Sequence, residues 1–295
     1  MISTVCVIGV GAMGMGIARN LLRGGFRVAV RDIDPEREVL ARGAGAQVVG
    51  SSREAGALAD AILVVVVDSA QIEQVLSGPD GLLASLGAGK LVLLCSTIAP
   101  GDSVGFAARI GATGAQVLDA PISGGPARAE AGTMSIMLAG PSQALSVAEP
   151  LLAVLAGKRF VIGERHGDAA KAKLVNNLMA GIHLMAGAEA LALAARLGLD
   201  PRQMYHLIAA SSGQSWMFED RMGRALDGDY APRAQSHVLT KDLTLANEAA
   251  RSAGVELPLG RVARDLLKAT CDAGWRIEDD AAALKYYRRR FGVEP

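Results

Sequence analysis

The sequence predicts two domains: a doubly wound α/β domain with a mostly parallel sheet, then an all-α domain built round a long central helix. Three observations predict it. Short β-branched runs alternate with amphipathic segments through the first half of the chain. A glycine-rich turn follows the first of those runs directly. Beyond about residue 164 the strand-like runs cease and a long apolar stretch of helical composition begins. The expected domains are residues 1–163 and 164–295.

The first run, TVCVIG, leads straight into Gly9-Val10-Gly11-Ala12-Met13-Gly14, which opens a helical segment. In that context Gly9 permits a tight turn, Gly11 lets the backbone approach a pyrophosphate, and Gly14 lets helix and strand pack closely. The helix N-terminus then faces the phosphates. The first domain is therefore expected to be a Rossmann domain that binds a dinucleotide through these six residues. The second run, RVAV, ends at Arg31-Asp32. An acidic side chain there accepts hydrogen bonds from adenosine ribose hydroxyls and repels a 2′-phosphate, so NAD is expected in preference to NADP. Arg31 reads as a solvated surface residue, with stacking on adenine or contact with a phosphate as the alternative.

Asp34-Pro35 places Asp at the N-cap and Pro at the first turn of the next helix. The run AILVVVV is apolar on both faces, as a central parallel strand covered by helices should be. KLVLLC, QVLD, SIMLA and RFVIG supply the remaining strands. QVLD leads into Asp119-Ala120-Pro121-Ile122-Ser123-Gly124-Gly125. A serine followed by two glycines can offer a hydroxyl and backbone N–H groups to an anion such as a carboxylate. An ordinary glycine-rich turn has the same composition.

The second domain reads as helices over 168–197, from Asp200-Pro201, and near 236–253, 257–272 and 280–288. The first is apolar nearly all round, which suits a domain centre buried also against another subunit. It is the one stretch comparable to a membrane span, but Asn176, Asn177, His183 and Glu189 favour burial in protein. Its opening, GDAAKAKLVNNL, carries two lysines. At about 100° per residue, Lys173 shares a face with Asn176 and Asn177, while Lys171 points about 200° away. Lys173 is thus the candidate functional lysine.

Composition excludes several classes. Thirty basic residues balance thirty acidic ones, so nothing draws the chain to nucleic acid or an anionic membrane. Cys6, Cys95 and Cys271 are odd in number and far apart, which fits buried thiols in a reducing cytoplasm. The N-terminus has neither a basic leader nor a cleavage site, so a cytoplasmic protein is expected. His166, His183, His206 and His237 have no ligand spacing, and no metal is expected.

IGVGAMGMGIARNL, DAPISGGPARAEAGTMSIMLAG, GDAAKAKLVNN and TKDLTLA stand in the order and spacing of the β-hydroxyacid dehydrogenase family. The chain resembles the 3-hydroxyisobutyrate dehydrogenase-like members along essentially its whole length, and is related more distantly to 6-phosphogluconate dehydrogenase. The resemblance implies a Rossmann domain, a helical substrate and dimerisation domain, and a homodimer or homotetramer. It makes Lys173 the catalytic lysine and Asn177 its partner in holding substrate. Ser123, Gly124 and Gly125 would bind the substrate carboxylate. Thr97 would border the nicotinamide, and Lys241 would lie near nicotinamide or substrate. Two positions depart from the pattern: Ala169 replaces a glycine often found four residues before the lysine, and Asn176 stands where 6-phosphogluconate dehydrogenase has histidine.

The implied reaction is oxidation of the hydroxyl of a small hydroxy acid. A lysine desolvated beside a cationic nicotinamide is driven toward the neutral amine that can accept the hydroxyl proton. Residues 211–232 resemble the threonate-oxidising branch of the family, so a C3–C4 sugar acid such as threonate is expected. A 3-hydroxyisobutyrate-like acid, or a semialdehyde reduced in the opposite direction, is the alternative. Trp216 and Phe218 either wall the pocket or simply pack the helical domain. A non-catalytic dinucleotide sensor on the same fold would need the glycine loop but not Lys173, Asn177 and Ser123 together.

Overall fold

The computed structural model describes residues 2–293. The chain divides into two compact units, one running to Lys173 and the other from Leu174.

The first unit is a nine-stranded sheet flanked by helices. Its strands are β1 (Thr4–Ile8), β2 (Arg27–Arg31), β3 (Gln47–Val48), β4 (Ala61–Val64), β5 (Leu91–Leu94), β6 (Gln116–Asp119), β7 (Ile122–Ser123), β8 (Met134–Ala139) and β9 (Ala156–Gly163). The helices between them are α1 (Ala12–Arg23), α2 (Pro35–Gly43), α3 (Ser52–Leu58), α4 (Ser69–Leu76), α5 (Pro100–Gly111), α6 (Gly125–Ala131) and α7 (Ser142–Leu155). Spatial order runs β3-β2-β1-β4-β5-β6-β8-β7, with β9 beside β8. Pairing is parallel from β3 through β6, antiparallel where β8 meets β6 and β7, and parallel again between β8 and β9.

Alternation along the central strands explains why both faces are covered. Val5, Val7, Leu63, Leu91 and Leu93 join one apolar cluster with Ile17 and Leu21 of α1 and Leu151 of α7. Their neighbours Cys6, Ile8, Ile62, Val64, Val92 and Leu94 join another, with Ile72 of α4 and Phe106 and Ile110 of α5. Every residue of these strands is buried on one side or the other, so the sequence shows unbroken apolar runs rather than alternation. Asp34 caps α2 as expected, accepting a hydrogen bond from the Glu36 amide at 3.0 Å.

Four details differ from expectation. β3 and β7 were not foreseen, because two residues carry no readable periodicity. The run AILVVVV is a strand only to Val64; beyond it the chain leaves the sheet. RFVIG belongs to the longer strand β9, which leaves Phe160, Val161 and Ile162 exposed.

The second unit is helical. α8 (Asp168–Arg196) begins in the first unit and continues into this one. α9 (Pro201–Ala209), a π-helical turn at Phe218–Met222, α10 (Gly223–Leu226), α11 (Ser236–Ser252), α12 (Pro258–Thr270) and α13 (Ala283–Phe291) follow. Leu184, Met185, Ala188 and Leu191 of α8 form the core with Phe218, Leu243 of α11, Leu267 of α12 and Tyr287 of α13. Small residues let α8 pack this closely: a Cβ on Gly181 would lie 2.5 Å from Leu243, and one on Gly187 would lie 2.7 Å from Phe218. Among the described residues α8 is the one helix long and apolar enough to cross a membrane, and 44% of its apolar window is buried in protein.

Candidate active site

The glycine loop lies where β1 meets both β2 and β4, the point at which strand order reverses and α/β sheets bind ligands beyond their carboxyl ends. Gly9 has φ +93°, and a Cβ there would stand 2.4 Å from the Val65 carbonyl oxygen, so only glycine fits. A Cβ on Gly14 would fall 1.9 Å from the Gly9 carbonyl oxygen, which is why α1 packs so closely on β1. Gly11 is the N-cap of α1, with no side-chain cap and no acidic residue in the first turn. The first amides of α1 are therefore not taken by a side-chain cap and suit an anion.

Asp32 is buried at the end of β2. Its Oδ2 accepts from the Val10 amide at 2.7 Å and its Oδ1 from the Asp34 amide at 2.9 Å. A carboxylate has about four acceptor sites, so these two bonds orient it and leave capacity for ribose hydroxyls. The residues fit a dinucleotide carrying free ribose hydroxyls.

Arg31 is not the solvated residue the sequence suggested. Its guanidinium pairs with Glu38 at 2.6 Å, and the same Glu38 oxygen accepts from the Asp32 amide at 3.0 Å. An ion pair that also bonds the backbone outcompetes solvation for a half-buried arginine. A second arginine was missed: Arg37 Nη1 would lie 2.9 Å from a Cβ on Gly11, placing its guanidinium against the loop. Thr97 is half-buried just beyond β5, next to Ser96, whose hydroxyl accepts from the Val66 amide at 3.2 Å.

Ser123 ends β7, paired with Ser135 of β8. Gly124 follows with φ +128° and Gly125 with φ +74°, so the backbone turns through conformations that other residues resist. Upstream, the carboxylate of Asp119 is almost wholly buried and joins two pieces of chain. Its Oδ1 accepts from the Ser103 hydroxyl at 2.7 Å, and its Oδ2 accepts from the Gly167 amide just before α8. His166 Nδ1 lies 3.4 Å from Asp119 Oδ1, outside hydrogen-bond geometry. Asp119 therefore fastens the start of the lysine-bearing helix to the strand that leads into Ser123.

On α8, Lys171 is exposed and paired with Asp168 at 2.8 Å, whereas Lys173 is 6% exposed. That assigns the two lysines as the helical angle required. Asn177, one turn further on, is 8% exposed. Its Nδ2 donates to Asp242 Oδ2 at 2.6 Å, and its Oδ1 accepts from Asn176 Nδ2 at 3.0 Å. Lys241 Nζ lies 2.8 Å from Asp242 Oδ1. In the second unit the structure thus brings Asn177 and Lys241 to one carboxylate, a residue of the TKDLTLA stretch whose role no local pattern announces.

Phe218 is not a pocket wall: it is 2% exposed, packed in the helical core and stacked on Tyr205 at 5.5 Å. Trp216 is the exposed member of that segment, with the Arg221 guanidinium 5.7 Å from its ring. Burial pushes the Cys6 and Cys95 thiols up to about 12, so neither supplies a nucleophile near neutral pH. No group of three or more His, Cys, Asp or Glu side chains among the described residues could hold a metal ion.

Residues 4–163 match the family described as the NAD binding domain of 6-phosphogluconate dehydrogenase. Residues 167–287 match "NAD-binding of NADP-dependent 3-hydroxyisobutyrate dehydrogenase". The chain is 42% identical to an L-threonate dehydrogenase of Cupriavidus necator, covering 95% of each protein. It is 35% identical to a 3-hydroxyisobutyrate dehydrogenase of Pseudomonas aeruginosa, covering 96% of this chain and 98% of that one. A crystal structure of 3-hydroxyisobutyrate dehydrogenase from Salmonella typhimurium superposes with a TM-score of 0.90 at 37% identity, over 96% of this chain and 99% of that one.

Proposed function

This chain belongs to the 3-hydroxyisobutyrate dehydrogenase-like β-hydroxyacid dehydrogenase family and is an NAD-dependent hydroxyacid dehydrogenase, and from that premise we propose that it oxidises a polyhydroxylated C3–C4 acid, L-threonate first. The observation that carries the chemistry is a buried lysine one helical turn before a buried asparagine on α8.

In the proposed reaction the substrate carboxylate is held by the Ser123 hydroxyl and the backbone amides of Gly124 and Gly125. Bound NAD⁺ supplies the hydride acceptor. Lys173, as the neutral amine, takes the proton from the reacting hydroxyl while the C–H bond gives up its hydride; in reduction its ammonium returns that proton. Burial favours the neutral form of an amine, which is the form the oxidative direction needs. Asn177 hydrogen-bonds the reacting oxygen without adding charge, and Lys241 borders the nicotinamide or the substrate. Asp32 would hold the ribose and the Gly9–Gly14 loop would receive the pyrophosphate. Fixing the carboxylate and the hydroxyl together aligns the reacting carbon, an effect worth several orders of magnitude in rate.

Support for a polyhydroxylated substrate comes from the 42% identity to an L-threonate dehydrogenase, higher than the 35% to the 3-hydroxyisobutyrate dehydrogenase. We further propose a homo-oligomer working in the cytoplasm, on the strength of an α8 surface that stays apolar and three buried free cysteines. The test is initial-rate NADH formation with L-threonate, D-threonate, D-glycerate, L-serine and 3-hydroxyisobutyrate, each repeated with NADP⁺. L-Threonate with NAD⁺ is expected to give the highest kcat/KM. A higher value for 3-hydroxyisobutyrate would replace the substrate assignment, and equal rates with NADP⁺ would overturn the role of Asp32.

A further inference from the structure

Asp242 is 4% exposed and its two oxygens are divided between two partners. Oδ2 accepts from Asn177 Nδ2 at 2.6 Å, and Oδ1 lies 2.8 Å from Lys241 Nζ. An ionised carboxylate only accepts, so the edge of the Asn177 amide that faces it must be the NH₂. Turning that amide by half a revolution would set a carbonyl oxygen against a carboxylate oxygen with no proton between them. Asn176 could not enforce the orientation alone: it is exposed, and its own amide could rotate to accept instead of donate.

We propose that Asp242 is a positioning residue that commits Asn177 to act as a hydrogen-bond donor. One Nδ2 hydrogen goes to Asp242, Oδ1 is turned toward the exposed Asn176, and the second Nδ2 hydrogen is left for the reacting oxygen. That direction is the useful one. Negative charge builds on the substrate oxygen as its proton leaves, and a donor stabilises that charge where an acceptor would oppose it. The same buried carboxylate sets the Lys241 ammonium, so one charge orients two polar groups without itself touching the reacting atoms. The contact with Lys241 is an ion pair, which a neutral side chain at 242 could not make.

The inference rests on the reading of Asn177 as a group that meets substrate, and the test separates the two. Wild type, Asp242→Ala, Asn177→Ala and the double variant are compared for kcat and KM with L-threonate, and for NAD⁺ affinity by fluorescence titration. Asn177→Ala is expected to lower kcat/KM about 100-fold and Asp242→Ala about 10- to 100-fold, with NAD⁺ affinity held within about threefold. The double variant should lose much less relative to Asn177→Ala than Asp242→Ala loses relative to wild type, because Asp242 acts mainly through Asn177 and only the share it exerts through Lys241 remains. Losses that multiply would overturn the positioning role. Wild-type rates in Asn177→Ala would overturn the underlying reading instead.

A swapped pair, Asn177→Asp with Asp242→Asn, needs no apolar replacement and serves if Asp242→Ala does not fold. It restores a hydrogen bond between the two positions but reverses its direction, leaving an acceptor toward the substrate. Thermal stability should exceed that of Asp242→Ala, with NAD⁺ affinity within about threefold of wild type, while turnover stays at least 10-fold down. A swapped enzyme that turns over within about threefold of wild type would show that donor direction is irrelevant.

Discussion

At the scale of single residues, the site is built from charges placed where water cannot reach them. Lys173 is the clearest case, a buried lysine one helical turn before the buried Asn177. Lys173→Ala should reduce kcat by about 10²–10⁴-fold, the usual range for losing a general acid–base group, while fluorescence titration still shows near-normal NAD⁺ affinity. Turnover close to wild type would remove Lys173 from the mechanism. Asp119 makes a different kind of prediction. Replacing it by Ala orphans the Ser103 hydroxyl and the Gly167 amide, at about 1–3 kcal/mol each. Urea unfolding should therefore show a loss of about 2–6 kcal/mol, together with a lower kcat because the start of α8 is no longer fastened to β6. A variant as stable as wild type would mean that the two donors find other acceptors.

At the scale of elements, the helical unit is cross-braced by a second buried charge cluster. Arg221, in the π-helical turn, donates to Asp280 at 2.6 Å, and Arg224 lies 3.1 Å from Asp279. Asp279 also accepts from the amides of Arg233, Ala234 and Ala281, so one carboxylate ties three stretches of chain. Burial pushes the Asp280 carboxyl up from 3.8 to about 6, with Arg221 pulling down and Asp279 adding to the rise. The folded state therefore holds this proton more tightly than the unfolded chain does. The stability it contributes is complete below the unfolded value and is lost as pH rises through about 6. Asp280→Asn removes that titration. Between about pH 4.5 and 7 the Tm of wild type should decline relative to the variant, whatever the constant offset from the altered bond to Arg221. Parallel Tm–pH curves would show that Asp280 stays ionised throughout.

At the scale of the whole molecule, what was legible in the sequence depended on whether a residue's task was local. The glycine loop could be read because its turn, its close packing and its helix start all lie within six residues. The assignment of Lys173 over Lys171 followed from helical angle alone. The Asp242 link to Asn177 joins α11 to α8 across sixty-five positions, and no periodicity announces such a pairing. Arg31 and Glu38 were missed for a similar reason, since the pair depends on how α2 folds back on β2. Phe218 was ambiguous because an aromatic that walls a pocket and one that fills a core have the same composition. Exposure adds one thing that sequence only hinted at. α8 leaves Val175, Met179 and Leu193 at 65%, 49% and 49% exposed, and α12 adds Leu259 and Val262 at 68% and 50%. Val175 and Met179 stand one helical turn apart and so share one exposed apolar face of α8, and a formal net charge of zero does nothing to keep copies apart. We propose that these residues are covered by a second copy of the chain. Sedimentation velocity at micromolar protein should then give a multiple of the 30.4 kDa chain mass, and Val175→Glu with Met179→Glu should shift it toward 30.4 kDa. A wild-type protein that sediments only as the 30.4 kDa monomer would leave the exposed face of α8 without a partner and overturn the oligomer.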